Sequence, residues 1–237
     1  MEFKEIVAPS MKELFIQSIE NMILSGELKI GDKLPTEREL ATKMNLSRSV
    51  VNLGLNELKN KGFIDIVPRK GTYVADYIQY GTLDTLISII NFNGGSLDKK
   101  IFDSLMEYRL HNEGTAAYLA ALNRSDEDID KMEYLYNKML ESTSNTELST
   151  LIFDFHHVIF YATNNYIYPL VHNSFRNISI VLVAKVFNSF PADHVIKDLK
   201  TIMDMIKKQD PDKAKEAMDN LIIHGIEILE ENYFKNS

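Results

Sequence analysis

Arg48, Asn52, Asn56 and Lys59 recur at spacings of three to four residues, so a helix carrying them presents one polar stripe. The chemistry such a stripe offers is the reading of base edges. An arginine forks onto guanine O6 and N7, and an asparagine one turn further on pairs with adenine. Groups suited to phosphate stand around it. Ser47, Ser49 and Thr36 can donate hydrogen bonds, Arg38 and Lys43 can neutralise charge, and Arg69-Lys70-Gly71 makes a basic turn able to enter a minor groove. Singly, each is an ordinary solvated side chain; their coincidence in one short segment points to a double-stranded DNA partner.

A second set of groups lies further along. His156 and His157 are adjacent, and neighbours on a helix point about 100° apart, so they do not share one metal ion easily; a pocket hydrogen bond or a core contact is the expectation. His172, Asn173 and Arg176 lie within about one turn and line either a pocket or the surface, and His224 carries the same two readings. There is no glycine-rich phosphate loop, no Gly-x-Ser-x-Gly elbow and no His-Glu-x-x-His pair. We therefore assign no catalytic residue, keeping an enzyme with a helical active-site domain as a rival class, and we expect no cofactor.

The elements that must position these groups are legible. Ser10-Met11-Lys12-Glu13 is a capping box, followed at helical spacing by Leu14, Ile19, Met22 and Ile23 until Gly26. Thr36-Glu37-Arg38-Glu39 opens a second, short helix, and Ser47 caps a third that runs to about Lys61-Gly62 with Val51, Leu55 and Leu58 facing inward. Phe63–Val67 and Thr72–Val74 flank Pro68–Gly71 as two short strands. The expected fold is mainly α: a winged helix-turn-helix over residues 1–75, a linker at 76–81 and an all-helical domain over 82–237. Its expected helices are Leu83–Phe92, Leu97–Asn123, Asp126–Ser142, Glu147–Thr163, Tyr166–Asn188, His194–Lys208 and Asp212–Tyr233.

Charge divides along the same line. The net charge of −8 looks wrong for a DNA partner, yet residues 33–75 hold eight Lys/Arg against four Asp/Glu, and residues 76–237 hold 15 against 24. With no cysteine, disulfides and thiolate metal sites are excluded. No apolar run approaches the roughly 18 residues of a membrane span, and the first residues lack signal-peptide character, so the expected location is the cytoplasm, without a membrane partner.

Leu34-Pro35-Thr36-Glu37-Arg38-Glu39-Leu40-Ala41, Leu46-Ser47-Arg48-Ser49-Val50-Val51, Gly62-Phe63-Ile64 and Lys70-Gly71-Thr72-Tyr73-Val74 resemble the GntR family of bacterial regulators in order and spacing. The resemblance implies operator binding as a homodimer, with Arg38, Arg48, Ser49 and the Arg69–Gly71 wing on DNA. Where that family commonly has Arg-Glu-Ala-Leu, this chain has Asn52-Leu53-Gly54-Leu55, and Gly54 costs about 1 kcal/mol relative to Ala in a helix. Tyr108-Arg109 with Glu113, Ala116, Ala117 and Ala120, then Phe155-His156 with Asn165, and finally Gln209–Ala214, resemble the FadR branch. Many of its members hold a divalent metal with one Asp and three His. Those places fall here at Ile152, His156, Leu199 and Leu221, so we expect no metal site.

The aliphatic replacements, with Leu151–Phe155, Val158, Ile159 and Phe160, predict a greasy pocket and a small-molecule effector of apolar character. The helix pattern is similar to the member that names the branch, which implies an acyl-CoA or fatty acid. Arg109, His156, Asn165, Asn173 and Arg176 are the candidate effector-binding residues, Arg109 being the natural partner for a phosphate or carboxylate. A regulator sensing a metal or a small carboxylate is the alternative within the same family.

Overall fold

The computed structural model describes residues 8–92, 99–188 and 190–234, in two compact units that divide at residue 96. In the first unit both capping boxes form. The Ser10 hydroxyl accepts from the Glu13 amide, and Thr36 does the same for Glu39, so α1 (Met11–Leu24) and α2 (Glu37–Lys43) begin where their caps dictate. Ser47 accepts from the Val50 amide at 3.3 Å and starts α3 (Arg48–Asn60). Strands β1 (Ile64–Val67) and β2 (Gly71–Val74) pair antiparallel, Ile64 opposite Val74 and Val67 opposite Gly71.

Phe15, Ile19, Leu40, Val51, Leu55, Leu58 and Phe63 close the core of this unit. The expected inward Leu14 is 44% exposed instead, because α1 turns Phe15 and Ile16 to the core. Gly54 has a reason to be glycine. A Cβ there would lie 2.3 Å from the ring of Phe15, so its absence is what lets α1 close on α3.

The stretch expected as a linker folds. Asp76 accepts from the Ile78 and Gln79 amides and starts the short α4 (Tyr77–Tyr80), and α5 (Leu83–Phe92), expected in the helical domain, packs on α1 within the first unit. A polar composition reads as a loop, but here the polar groups are cap and latch.

The second unit is helical throughout its described residues: α6 (Lys99–Asn123), α7 (Asp126–Glu141), α8 (Asn145–Ala162), α9 (Ile167–Ser174), α10 (Arg176–Val186), α11 (Ala192–Lys207) and α12 (Pro211–Phe234). The expected start of α6 at Leu97 lies outside the described residues. α12 runs along α6, which Gly114 permits: a Cβ there would meet Asp219 Oδ1 at 2.0 Å. The single helix expected over Tyr166–Asn188 is two. Phe175 leaves the helical region (φ −93°, ψ 5°) and its ring packs against Tyr108, so a tertiary contact interrupts a run whose periodicity is unbroken.

Candidate DNA-contact surface and effector cavity

Cap and core together fix how α3 is displayed. Val51, Leu55 and Leu58 are buried, and Arg48, Ser49, Asn52, Asn56 and Lys59 are consequently exposed on the outer face. Thr36, Arg38, Lys43, Ser47, Arg69 and Lys70 are exposed as well, and Gly71 is half-buried. Arg69 sits at φ 65°, a left-handed turn position that projects the wing tip. Gly71 sits at φ 127°, a backbone conformation that residues with a Cβ rarely adopt, so glycine suits the position.

Hydrogen bonding sorts these residues. Thr36 is committed to its cap, its hydroxyl donating to Glu39 at 2.8 Å, and Ser47 shares a 3.0 Å hydrogen bond with Ser49. Asn52 donates its amide to Glu37 at 2.9 Å and accepts from Asn56 at 3.2 Å. By contrast Arg38, Lys43, Arg48, Arg69 and Lys70 have no ion-pair partner among the described residues. Five unpaired cations on one small unit form an anion-seeking surface.

The second unit holds a partly open cavity of about 70 Å³. Its walls are largely apolar, with Ile152, Phe153, Leu182, Val186, Phe187, Leu221, Ile222 and Leu229. One corner is ionic. Arg109 Nε donates to Glu113 Oε1 at 2.6 Å, one turn apart on α6, and Glu113 Oε2 lies 2.7 Å from His156 Nδ1 on α8. Glu113 is 4% exposed; burial pushes its carboxyl up, but Arg109 and His156 outweigh this and hold it well below the usual carboxylate range. Facing a carboxylate, His156 Nδ1 carries the proton and donates.

That leaves the other ring nitrogen. His156 Nε2 is buried and has no hydrogen-bond partner among the described residues. An orphan polar atom beside an apolar cavity invites a polar ligand group. His172 borders the same cavity, stacked on the rings of Phe153 at 4.4 Å and Phe160 at 4.3 Å, and burial pushes it down to about 3, so it is neutral. Asp198 and His224 line both the cavity and an outer groove along α11 and α12.

Residues 13–74 match the family described as "Bacterial regulatory proteins, gntR family", and residues 104–224 match "FCD domain", which spans half of the chain. The chain belongs to the GntR family and carries an FCD domain. An uncharacterized HTH-type transcriptional regulator, YcbG of Bacillus subtilis (strain 168), is 28% identical over 202 residues, 84% of this chain and 81% of its own length. The HTH-type transcriptional regulator Mce2R of Mycobacterium tuberculosis (strain CDC 1551 / Oshkosh) is 26% identical, covering 94% and 92%. Among solved structures, Lar, titled as controlling expression of the Listeria monocytogenes agr system, has a TM-score of 0.62 at 15% identity over 94% of this chain and 98% of its own.

This GntR protein is thus a ligand-responsive transcriptional regulator that binds DNA through its winged helix-turn-helix, and not an enzyme. No helix among its described residues is long and apolar enough to cross a membrane. Of the five expected effector residues, Arg109 and His156 meet at the cavity. The other three do not line it. Asn165 is an exposed turn residue whose Oδ1 accepts from the Ile167 amide, Asn173 is exposed on α9, and Arg176 leaves the cavity for an ion pair with Asp154 at 2.7 Å over the Phe153 ring. Of the four places expected from the resemblance to correspond to metal ligands, Ile152, His156 and Leu221 line the cavity, and Leu199 is buried in the core.

Glu113 is the central residue that the expected site omitted. The Arg109–Glu113 spacing of four, on a face otherwise made of Ala116, Ala117 and Ala120, is the signal that finds it. His172 was left open between pocket and surface, and it lines the pocket. Asp198 of α11, Ser179 of α10 and Phe190 from the connection between them carry no local signal.

Proposed function

We propose that this regulator binds operator DNA as a homodimer and that its effector is an apolar molecule with a polar or acidic head, of the acyl type such as a fatty acid or acyl-CoA. The observation that carries the effector class is the cavity: aliphatic and aromatic walls with one ionic corner, where Arg109 and His156 both bond Glu113 and His156 Nε2 is left unpartnered among the described residues. With Nδ1 protonated, Nε2 is an acceptor, so a hydroxyl or a protonated acid on the head group donates to it, and the chain of the ligand replaces cavity space with contacts. Ile152 and Leu221 at two of the metal-ligand positions favour this over a metal-dependent small carboxylate.

The proposal makes DNA and effector reciprocal ligands, each altering the affinity for the other by the same factor. A thermal-shift panel of fatty acids, acyl-CoAs and small hydroxy acids tests it. Ligand at a hundred times its Kd stabilises by about 2.7 kcal/mol, an upward shift of about 5–10 °C for a chain of this size. Shifts only with the small hydroxy acids, or with none, overturn the apolar class. Gly225 supplies the control. It lines the cavity on α12 with nothing within 4 Å of an added Cβ, so Gly225→Leu is expected to raise the ligand-free Tm and abolish the ligand-induced shift.

A further inference from the structure

The exit of the recognition helix is held by α5, which lies outside the winged helix, together with Glu20 of α1. Lys61 caps α3, and its backbone carbonyl accepts a short hydrogen bond from the hydroxyl of Thr85 on α5. Its ammonium reaches Glu20 of α1 at 2.8 Å and Ser88 of α5 at 3.4 Å, and the Ser88 hydroxyl donates to the same Glu20 oxygen at 3.1 Å. Glu20, Thr85 and Ser88 are all buried. The next two residues are gripped from the same side. Gly62 lies under Tyr80, whose carbonyl oxygen would be 2.4 Å from a Cβ, and the Phe63 ring packs on Tyr77 at 5.5 Å.

We propose that Thr85 and Ser88, with Glu20, are positioning residues for operator binding: they hold Lys61, and through it α5 sets the aim of α3 in the groove. Physical reasons single out these contacts. A helix leaves its last carbonyls without partners, and here one of them is satisfied by a side chain from another helix rather than by water. The Glu20–Lys61–Ser88 triangle is closed, each member bonded to the other two, so moving α5 breaks at least two hydrogen bonds around a buried carboxylate. α5 is also the last described element of the first unit, so anything the chain passes onward or back along its backbone goes through it.

The test uses the full chain with Thr85→Val, Thr85→Ser and Ser88→Ala, on DNA selected in vitro from random sequence with the wild-type protein. Thr85→Val removes the donor and leaves the Lys61 carbonyl buried and unpaired. It is expected to weaken binding to the selected DNA about tenfold, with binding to unrelated DNA and its salt dependence unchanged. Thr85→Ser, which keeps the hydroxyl, should restore affinity. Amide exchange over the last turn of α3, Glu57–Lys61, should accelerate in Thr85→Val and in Ser88→Ala, and the latter serves alone if the valine variant does not fold. Unchanged specific affinity and exchange, equal loss of specific and unrelated binding, or no rescue by serine overturns the proposal. Failure of the wild-type selection to yield any preferred sequence instead strikes at operator recognition itself.

Discussion

His172 stacks on the rings of Phe153 and Phe160 and shares a hydrogen bond with His157, and burial, which solvates an imidazolium poorly, pushes it from 6.5 down to about 3. Between those two values the unfolded chain binds a proton that the folded chain refuses, so stability falls as pH drops through 6.5 and keeps falling to about 3. Each pH unit removes up to about 1.4 kcal/mol, which predicts a loss of about 2 kcal/mol between pH 6.5 and pH 5. His157 is pushed down by burial too and acts in the same direction. In urea titrations at the two pH values, His172→Phe should flatten most of the dependence; an unaltered slope would place the sensitive group elsewhere. The exposed cations were legible from type and spacing, and Arg109 and His156 singly from the family resemblance, whereas their junction through Glu113 and the commitment of Asn52 to Glu37 were not, since each joins separate helices. That bond to Glu37 leaves Arg48 the freest of the proposed base-reading residues on α3.

At the level of elements, local signals decided what local physics controls. Both capping boxes, the serine cap of α3 and the hairpin lie where hydrogen-bonding side chains and β-branched runs place them. The division at Phe175 and the attachment of α5 to the first unit depend on Tyr108 and on Glu20 and Lys61, residues far away in the chain, and no periodicity encodes them. Gly54 sits between these cases. From sequence it is a defect in a helix; in the fold it is the contact point for Phe15. Gly54→Ala gains about 1 kcal/mol of helix propensity but forces a methyl into a ring that is itself fully buried, an overpacking cost of up to about 3 kcal/mol. A net destabilisation of about 1–2 kcal/mol is expected by denaturant unfolding, and a more stable variant would mean that α1 can shift freely on α3.

For the whole molecule, the division of charge fits the division of labour. The acidic second unit ties up most of its cations in pairs such as Arg109–Glu113, Arg176–Asp154 and Lys207–Glu133, while the head leaves Arg38, Lys43, Arg48, Arg69 and Lys70 without an ion-pair partner among the described residues, in keeping with proposed phosphate contacts for four of them and base contacts for Arg48. Each phosphate neutralised contributes about 0.9 to the fall of log K with log salt. Four such cations per head give a slope of about −4 for one chain on DNA and about −7 for two. The salt slope therefore counts heads. A homodimer on its operator should show the steeper value, and Lys70→Ala should reduce it by about 2 because the lysine is lost twice. Arg48→Ala should leave the slope nearly unchanged while relaxing sequence preference, since a base contact displaces no phosphate counterion. A slope near −4 that persists at high protein concentration would mean that one head binds alone, and any effector control would then have to act within a single chain, through α5, rather than on the spacing of two heads.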